Sequence, residues 1–236
     1  MQAYFPTHFE ILPPVQKTLW PLFRGVSDLG FVLYGGTAVA LRLGHRDSVD
    51  FDFFSASPLD KQNIYEKFPF LINSTPYFED ENSLSLNVPS PKPNEGIMKV
   101  SFFGTINFGR VAIPQWSEDG VMQVASSLDL LGTKLVTLLK RVEVKDYLDI
   151  AALLNAGLDL ATSLSAAKAL FPKNYNPLNS LAALIYFNDQ RLEKLSDPIR
   201  EFLTEQVASI DFDKVNTLQP LPLLSKELVE LKKHHA

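Results

Sequence analysis

The chain has 236 residues and a formal net charge of −5, with 46% hydrophobic residues, 21% charged residues and no cysteine. This composition is typical of a globular protein with a sizeable core, and it excludes disordered, collagen-like and coiled-coil chains. The lack of cysteine excludes disulfides and zinc–thiolate sites, and the acidic balance argues against non-specific wrapping of nucleic acid, although a local basic patch remains possible.

Membrane and export signals are also missing from the sequence. No segment reaches the roughly 20 consecutive apolar residues that a membrane-spanning helix needs. The N-terminal stretch lacks the basic and apolar regions of a signal peptide. We therefore expect a soluble, cytoplasmic protein with no membrane partner.

The first half of the sequence alternates short β-type segments with turns and short helices. Prolines at 13 and 14 can open a first helix, because proline is tolerated in a first turn, and Pro21 kinks it. A glycine pair at 35–36 ends a buried strand, Thr37 caps the next helix, and Gly44 stops it. The predicted strands are 31–34, 49–54, 71–77, 84–88, 97–103 and 108–113, the last two forming a hairpin, and a further helix spans 57–68.

The second half is predicted to be almost entirely helical, beyond a boundary near residues 125–127. Apolar residues recur there at helical spacing, Ser127 is placed to cap the first helix, and Gly157 is placed to stop the second. We therefore divide the chain into an α+β domain at residues 1–125 and a helical domain at residues 126–236. The predicted helices are 127–139, 145–155, 162–170, 177–187, 197–209 and 225–233.

Two carboxylates on one strand carry the first chemical signal. Alternation along the strand places Asp50 and Asp52 on one face and their phenylalanine neighbours on the other. Two such carboxylates, about 7 Å apart, repel each other unless a cation or an arginine lies between them. Hard oxygen ligands of this kind suit magnesium bridged to substrate phosphates. The alternative is a half-buried strand whose polar face meets solvent.

The glycine pair Gly35-Gly36 lies between a strand and a helix, where backbone N–H groups can approach a phosphate. The helix that follows adds its positive end. A plain tight turn is the alternative, and neither a P-loop nor a dinucleotide-binding fingerprint is present. The pattern places phosphate donors and metal ligands at the same end of adjacent strands, because the Asp pair follows on the next strand.

Two motifs together resemble a known family. The first is the string from Gly35 to Ser55, and the second runs from Lys134 to Arg141 and continues with Lys145-Asp146-x-x-Asp149-Ile150. They resemble the polymerase-beta-type nucleotidyltransferase superfamily and, within it, the AbiEii/AbiGii nucleotidyltransferase toxins of type IV toxin–antitoxin systems. The resemblance implies an α+β nucleotidyltransferase fold, with a mixed sheet and flanking helices, followed by a helical domain that closes the nucleotide cleft.

The resemblance also implies roles for individual residues. Spacing alone favours another interpretation of the second motif, in which Lys145 and Asp149 form an i,i+4 pair among surface salt bridges that tie two helices together. The implied catalytic residues are Asp50, Asp52 and Asp146, with Asp50 and Asp52 as the ligands of Mg²⁺. The implied nucleotide-binding residues are Gly35, Gly36, Thr37, Arg46, Ser48, Lys134, Arg141 and Lys145.

The implied reaction transfers a nucleoside monophosphate from a nucleoside triphosphate to an acceptor hydroxyl, on tRNA or another RNA, and a cognate antitoxin is the implied protein partner.

One departure from the family pattern concerns a third carboxylate on a neighbouring strand. The strand 98–103 offers Lys99 and Ser101 there, with Glu95 or Asp146 as substitutes. The alternatives are therefore a degenerate fold that binds nucleotide or a protein partner, and a small-molecule transferase of the kind that inactivates antibiotics.

Overall fold

An eight-stranded mixed sheet is the centre of the fold in the computed structural model, which describes residues 3–173, 175–216, 218–221 and 224. Together with eight α-helices among those residues, the sheet confirms the predicted α+β class. The described residues divide into two compact units, one of residues 3–108, 113–125 and 224, the other of residues 109–112 and 126–221. None of the helices in the described ranges is long and apolar enough to cross a membrane.

The whole sheet belongs to the first unit, and its strands lie in the order β1-β7-β8-β2-β3-β6-β5-β4. Strand β3 pairs antiparallel with β2 and parallel with β6, so the sheet is mixed at its centre. The strands are β1 (Tyr4–Phe5), β2 (Val32–Tyr34), β3 (Asp50–Phe54), β4 (Thr75–Asp80), β5 (Ser83–Pro89), β6 (Ile97–Phe103), β7 (Gln115–Ser117) and β8 (Gln123–Val124).

Aromatic side chains fill one face of this sheet. Phe51 and Phe53 of β3 are fully buried, as the alternation predicts, and so is Phe102 of β6. Phe23 lies among them, with its ring centroid 5.7 Å from that of Phe51 and 5.4 Å from that of Phe53. Such pairs contribute about 0.5–1.5 kcal/mol each beyond the burial of their surface. The apolar face is therefore held by ring packing, which leaves the opposite face for polar residues.

The helices of the first unit lie close to their predicted positions. Helix α1 (Pro14–Leu19) continues as a 3-10 helix at Pro21, because proline lacks the N–H that an α-helix needs there. Helix α2 (Gly35–Leu43) ends at Gly44, whose φ of 63° is left-handed, as predicted. Helix α3 (Lys61–Lys67) begins later than predicted, because Asp60 caps it by accepting a hydrogen bond from the Asn63 N–H.

The second unit is helical. Ser126 caps α4, one residue before the predicted cap, by accepting a hydrogen bond from the Asp129 N–H. Asp159 caps α6 in the same way. The predicted helix at 225–233 lies outside the described residues. The helices are α4 (Ser127–Thr137), α5 (Val144–Asn155), α6 (Leu160–Leu170), α7 (Pro177–Ile185) and α8 (Asp197–Ala208).

The predicted hairpin of 97–103 with 108–113 is wrong. Strand β6 pairs with β3 and β5 instead, and the segment 109–112 is held by a side chain. The buried carboxylate of Asp129 accepts hydrogen bonds from the N–H groups of Val111 (2.7 Å) and Ala112 (3.2 Å). Because Asp129 satisfies these backbone donors, Val111 and Ala112 need no strand partner, and Arg110 makes an isolated antiparallel bridge with Leu221.

Replacing Phe23 with alanine should destabilise the first unit strongly, because a fully buried ring among aromatic neighbours leaves a cavity. We expect a loss of about 3–5 kcal/mol in the free energy of unfolding. The matched control is Phe78→Ala, since Phe78 is 52% exposed on the edge strand β4, and it should cost less than about 1 kcal/mol. Urea unfolding followed by fluorescence measures both, and equal losses would contradict the packing described.

Candidate active site

The turn from β2 into α2 forms one wall of the candidate site. Gly35 has a φ of +76°, and a Cβ built on it would lie 2.6 Å from Oδ2 of Asp52. A real Cβ does not approach an oxygen so closely, and a left-handed φ also disfavours any side chain. Glycine is therefore required at position 35 for two independent reasons. The glycine pair and the Asp pair therefore lie next to each other, as the sequence predicts.

Asp50 and Asp52 share one face of β3, both partly exposed, opposite the buried phenylalanines. Within the described part of the chain, no side chain bonds to or pairs with the Asp50 carboxylate. An acidic pair that includes such a carboxylate fits a hard divalent cation. Among the described residues no group of three or more His, Cys, Asp or Glu side chains is placed to hold a metal ion. Substrate phosphates and water would therefore supply the remaining ligands, as Mg²⁺ commonly requires.

The predicted cap of α2 at Thr37 is wrong, because the chain passes directly from Tyr34 into the helix at Gly35. The buried Thr37 hydroxyl instead donates a hydrogen bond to the backbone carbonyl of Asp50 and lies 2.8 Å from the Ser48 hydroxyl. Ser48 is buried as well. These contacts join the start of β3 to the first turn of α2. They therefore fix the position of the Asp pair along β3 relative to the helix N-terminus.

Arg46 precedes the start of β3 and is partly exposed. Its Nη1 donates a hydrogen bond of 2.8 Å to the backbone carbonyl of Asp47. This bond stiffens the loop before β3, and the predicted contact of Arg46 with a phosphate stays a prediction.

The neighbouring strand β6 places a serine where the family pattern has a third acid. In the parallel register, Lys99 lies beside Asp50 and Ser101 beside Asp52, so their side chains share the face of the Asp pair. This agrees with the placement of Ser101 expected from the sequence. Glu95 does not substitute for it, because its carboxylate accepts a hydrogen bond of 2.6 Å from Ser90 in its own loop.

Ser101 belongs to a hydrogen-bonded row that the sequence did not reveal. Its buried hydroxyl lies 3.1 Å from that of Ser85 on β5 and 3.3 Å from the Tyr77 hydroxyl. Alternation along β5 could have placed Ser85 on this face. Tyr77 could not have been placed, because a β-bulge shifts the register of β4 between Pro76 and Phe78.

The second motif forms a buried ion cluster in the helical unit. The Lys134 ammonium lies 2.7 Å from Oδ1 of Asp146 and 2.6 Å from Oδ2 of Asp149. Both carboxylates are fully buried, and the Lys134 side chain is only 7% exposed. The Arg141 guanidinium donates through Nε to Asp146 at 2.9 Å and through Nη2 at 3.2 Å. The cluster joins α4 to α5.

This cluster corrects the pairing expected from spacing. Lys145 pairs with Glu143 at 3.1 Å and not with Asp149, and the tie between the helices is buried and not a surface feature. The physical reason is that Asp146 and Asp149 share the face of α5 that packs on α4, while Lys145 lies on the exposed side. Arg141 and Lys145, each nearly half exposed, are accessible cations of the motif, and so is the exposed Lys140.

An open depression of about 530 Å³ lies at the start of α5 in the same unit. It is lined by Lys145, Arg191 and Lys194 together with Glu143 and Glu193. Its charges are mixed, so it presents no uniformly basic surface to an RNA backbone.

The two cations of the cluster, Lys134 and Arg141, also determine the pKa of Asp146. Burial raises this pKa, but the hydrogen bonds from Arg141 and the charge of Lys134 lower it by more, so it lies below its ordinary value. A carboxyl group with a lowered folded-state pKa stabilises the fold at neutral pH, and that contribution is lost as the pH falls through the folded pKa.

Comparison with known proteins identifies relatives over most of the chain. Residues 20–217 match the family described as nucleotidyl transferase AbiEii toxin, type IV TA system. An uncharacterised protein of Aquifex aeolicus (strain VF5), aq_aa25, is 30% identical over 173 residues, which cover 71% of this chain and 78% of that protein.

Two solved structures share the fold. MenT4, a nucleotidyltransferase toxin from Mycobacterium tuberculosis H37Rv, superposes with a TM-score of 0.53 at 16% identity and 85% coverage of each chain. A protein from H. pylori, proposed to be a nucleotidyltransferase, superposes with a TM-score of 0.54 at 17% identity, covering 92% of this chain and 96% of its own. At these identities the likeness concerns the fold alone.

Replacing Gly35 with alanine should destabilise the first unit and displace Asp52. We expect a loss of about 1–3 kcal/mol from the left-handed φ, increased by the contact with the carboxylate. Gly96→Ala is the matched control, because Gly96 has a φ of +90° but nothing within 4 Å of its built Cβ. Chemical denaturation compares the two variants. Equal losses would show that the approach of Asp52 adds nothing to the backbone strain.

Replacing Lys134 with alanine should cost about 3–5 kcal/mol in the free energy of unfolding, because two buried carboxylates lose their shared cation. The loss should shrink as the pH is lowered from 7 towards 4, because the buried Asp146 can then be protonated. In wild type the contribution of Asp146 to the free energy of unfolding should instead decrease as the pH falls. Lys194→Ala, at an exposed position, is the control and should change the stability by less than about 0.5 kcal/mol. A pH-independent loss would contradict this account.

Proposed function

The chain belongs to the nucleotidyl transferase AbiEii toxin family of type IV toxin–antitoxin systems and is therefore a nucleotidyltransferase, and we propose that it transfers a nucleoside monophosphate to an acceptor hydroxyl. Family membership implies a nucleoside triphosphate as substrate and an antitoxin as protein partner. The observation that carries the proposal is the contact of Gly35 with the Asp52 carboxylate, which joins a helix N-terminus to an acidic pair. An anion site and a cation site thereby adjoin each other.

The N-terminus of α2 is the proposed place for the triphosphate. Its first residues, Gly35, Gly36 and Thr37, open a helix of nine residues. Their backbone N–H groups, together with the positive end of the helix, favour negatively charged phosphate oxygens. The glycine pair has no side chains that would keep a phosphate away from this backbone.

Asp50 and Asp52 are the proposed ligands of Mg²⁺. When bound, the cation offsets the charge of the phosphate oxygens and orients the triphosphate. The Asp52 carboxylate lies against Gly35, and Thr37 fixes the backbone of Asp50, so the strand that carries both carboxylates is positioned before substrate arrives. Positioning of this kind lowers the barrier because little reorganisation is left for the reaction itself.

The proposed step is an in-line displacement at the α-phosphorus. The oxygen of the acceptor hydroxyl forms a bond to that phosphorus while the bond to the bridging oxygen breaks, and pyrophosphate leaves. The proton of the hydroxyl passes to a carboxylate of the Asp pair, because Ser101 takes the position beside Asp52 and offers no base at neutral pH.

RNA, such as tRNA, is the proposed acceptor. Nucleotide-contacting roles for Arg46, Lys134, Arg141 and Lys145 remain predictions, of which the exposed side chains of Arg141 and Lys145 are the best placed to meet an anion. A catalytic role of Asp146 is likewise a prediction, since its carboxylate bonds to Lys134 and Arg141 in the structure.

Replacing Asp52 with asparagine should abolish magnesium-dependent transfer and weaken magnesium-dependent triphosphate binding, because an anionic ligand is replaced by a neutral amide of the same size. Each labelled nucleoside triphosphate is incubated with total RNA and magnesium, and the products are separated on a gel. Binding of triphosphate is titrated in parallel with and without magnesium. We expect a loss of at least about a hundredfold in transfer, in line with the loss of one electrostatic contact in a catalytic site.

Asp28→Asn is the matched control, since Asp28 is an exposed carboxylate of the same unit, 57% accessible, with a long 3.8 Å contact to Lys67. It should transfer and bind as wild type does. Full activity of Asp52→Asn would contradict the proposed role of Asp52 as a ligand of Mg²⁺. Labelling of a small molecule but not of RNA by wild type would retain the reaction and overturn the proposed acceptor.

A further inference from the structure

Beside the Asp pair, the sheet carries an exposed aromatic ring and a cation that the reaction as proposed does not use. We infer that Tyr77 and Lys99 bind the acceptor, as a single-stranded end of nucleic acid whose terminal base stacks on Tyr77 and whose phosphate contacts Lys99. We call this pair the acceptor platform. The inference rests on the proposed function, because it names the substrate class that the Asp pair would serve.

The strand order gives the direction from which an acceptor arrives. The proposed triphosphate place follows β2, on one side of β3, and the acceptor platform lies on the other side, on β6 and β4. In an in-line displacement the attacking and leaving oxygens lie on opposite sides of the phosphorus. With pyrophosphate leaving towards α2, the acceptor hydroxyl comes from the side of β6. The platform therefore borders the path of the acceptor and not the place of the donor.

Tyr77 is held in position by buried hydroxyl groups. Its own hydroxyl lies 3.3 Å from that of Ser101, which in turn lies 3.1 Å from that of Ser85. Ser101 and Ser85 are 5% and 3% exposed, whereas Tyr77 is 49% exposed. An exposed ring fixed at its polar end presents a surface with little entropy to lose on stacking. The β-bulge between Pro76 and Phe78 places Phe78 opposite Ser85, while the Tyr77 hydroxyl reaches Ser101, so both rings lie on the face of the Asp pair.

Lys99 supplies a cation that is available to a ligand. Its ammonium lies 5.5 Å from the centre of the Tyr77 ring, and its position on β6 is beside Asp50. Among the described residues no carboxylate pairs with Lys99, although the chain as a whole is acidic. A polyanion that approaches Asp50 and Asp52 meets repulsion, and Lys99 offsets it at the point where a terminal phosphate arrives.

The combination of ring and cation favours a single strand over other acceptors. Each base has a flat face that stacks on an aromatic side chain, and each nucleotide brings a phosphate for a lysine. Bases inside a duplex are already stacked on their neighbours and cannot use Tyr77. A protein hydroxyl needs neither the ring nor the cation. Phe78, 52% exposed and paired with Ser85 on the same face, extends the apolar surface next to Tyr77.

The test measures binding of a 5′-fluorescein-labelled single-stranded RNA decamer, and of the same strand in a duplex, to the full chain by fluorescence anisotropy. Tyr77→Ala should weaken single-strand binding roughly 5- to 150-fold, the range for one lost base–aromatic stack. Tyr77→Phe should retain most of the affinity, because the ring remains. Lys99→Ala should weaken binding and lower the slope of log affinity against log salt by about 0.7, as for one phosphate contact on a single strand.

Matched controls are Tyr186→Ala, which removes a tyrosine 61% exposed in the helical unit, and Lys92→Ala, which removes a lysine 66% exposed in the loop before β6. Both should bind as wild type does. Thermal midpoints and magnesium-dependent triphosphate binding are measured for every variant. Tyr77→Ala should leave both unchanged, and Lys99→Ala should leave the thermal midpoint unchanged.

Three results would overturn the platform: unchanged RNA affinity in Tyr77→Ala and Lys99→Ala, equal preference for the duplex, or a loss of triphosphate binding in Tyr77→Ala that matches the loss of RNA binding. The triphosphate titration reports separately on the proposed function. Wild-type protein that binds the single strand through Tyr77 but binds no triphosphate would contradict the proposed function and leave the platform standing.

Discussion

The Asp52 carboxylate lies against the backbone of Gly35 so closely that no side chain fits between them. This contact decides how β2, α2 and β3 are joined. Because Tyr34 pairs with Asp52 in the ladder, the chain must leave β2 and enter α2 at the level of the carboxylate, with a left-handed residue at the turn. Thr37, in the first turn of the helix, then reaches the carbonyl of Asp50. The candidate site is thus a property of the strand–helix junction more than of any single side chain.

The two faces of the sheet have opposite chemistry for one reason. Phe23, Phe53 and Phe102 fill the buried face, so the alternating positions of β3, β5 and β6 are left for Asp52, Ser85 and Ser101. The hydroxyl groups on the polar face bond to one another instead of to the core. Packing on one side of the sheet therefore provides the rigid support on which the polar side can hold charged and hydrogen-bonding groups in place.

Much of this arrangement could be predicted from the sequence, because local rules determine it. Alternation placed Asp50 and Asp52 on one face, and Gly44 and Gly157 ended their helices as glycine does in the left-handed region. The short strands β1, β7 and β8 were missed, because two or three residues show no period. The pairing of Lys134 with Asp149 was missed because it depends on how α5 packs on α4, which spacing within one helix does not contain.

The bulge in β4 has a consequence for the protein in a concentrated solution. β4 is the last strand of the sheet, and all of its side chains are exposed, so its outer edge is open to pairing with a second molecule. Pro76 removes a backbone donor, the shifted register interrupts the ladder, and Glu79 and Asp80 add charge that repels a like strand. The irregularity that places Phe78 beside Tyr77 on the polar face therefore also protects this edge from aggregation.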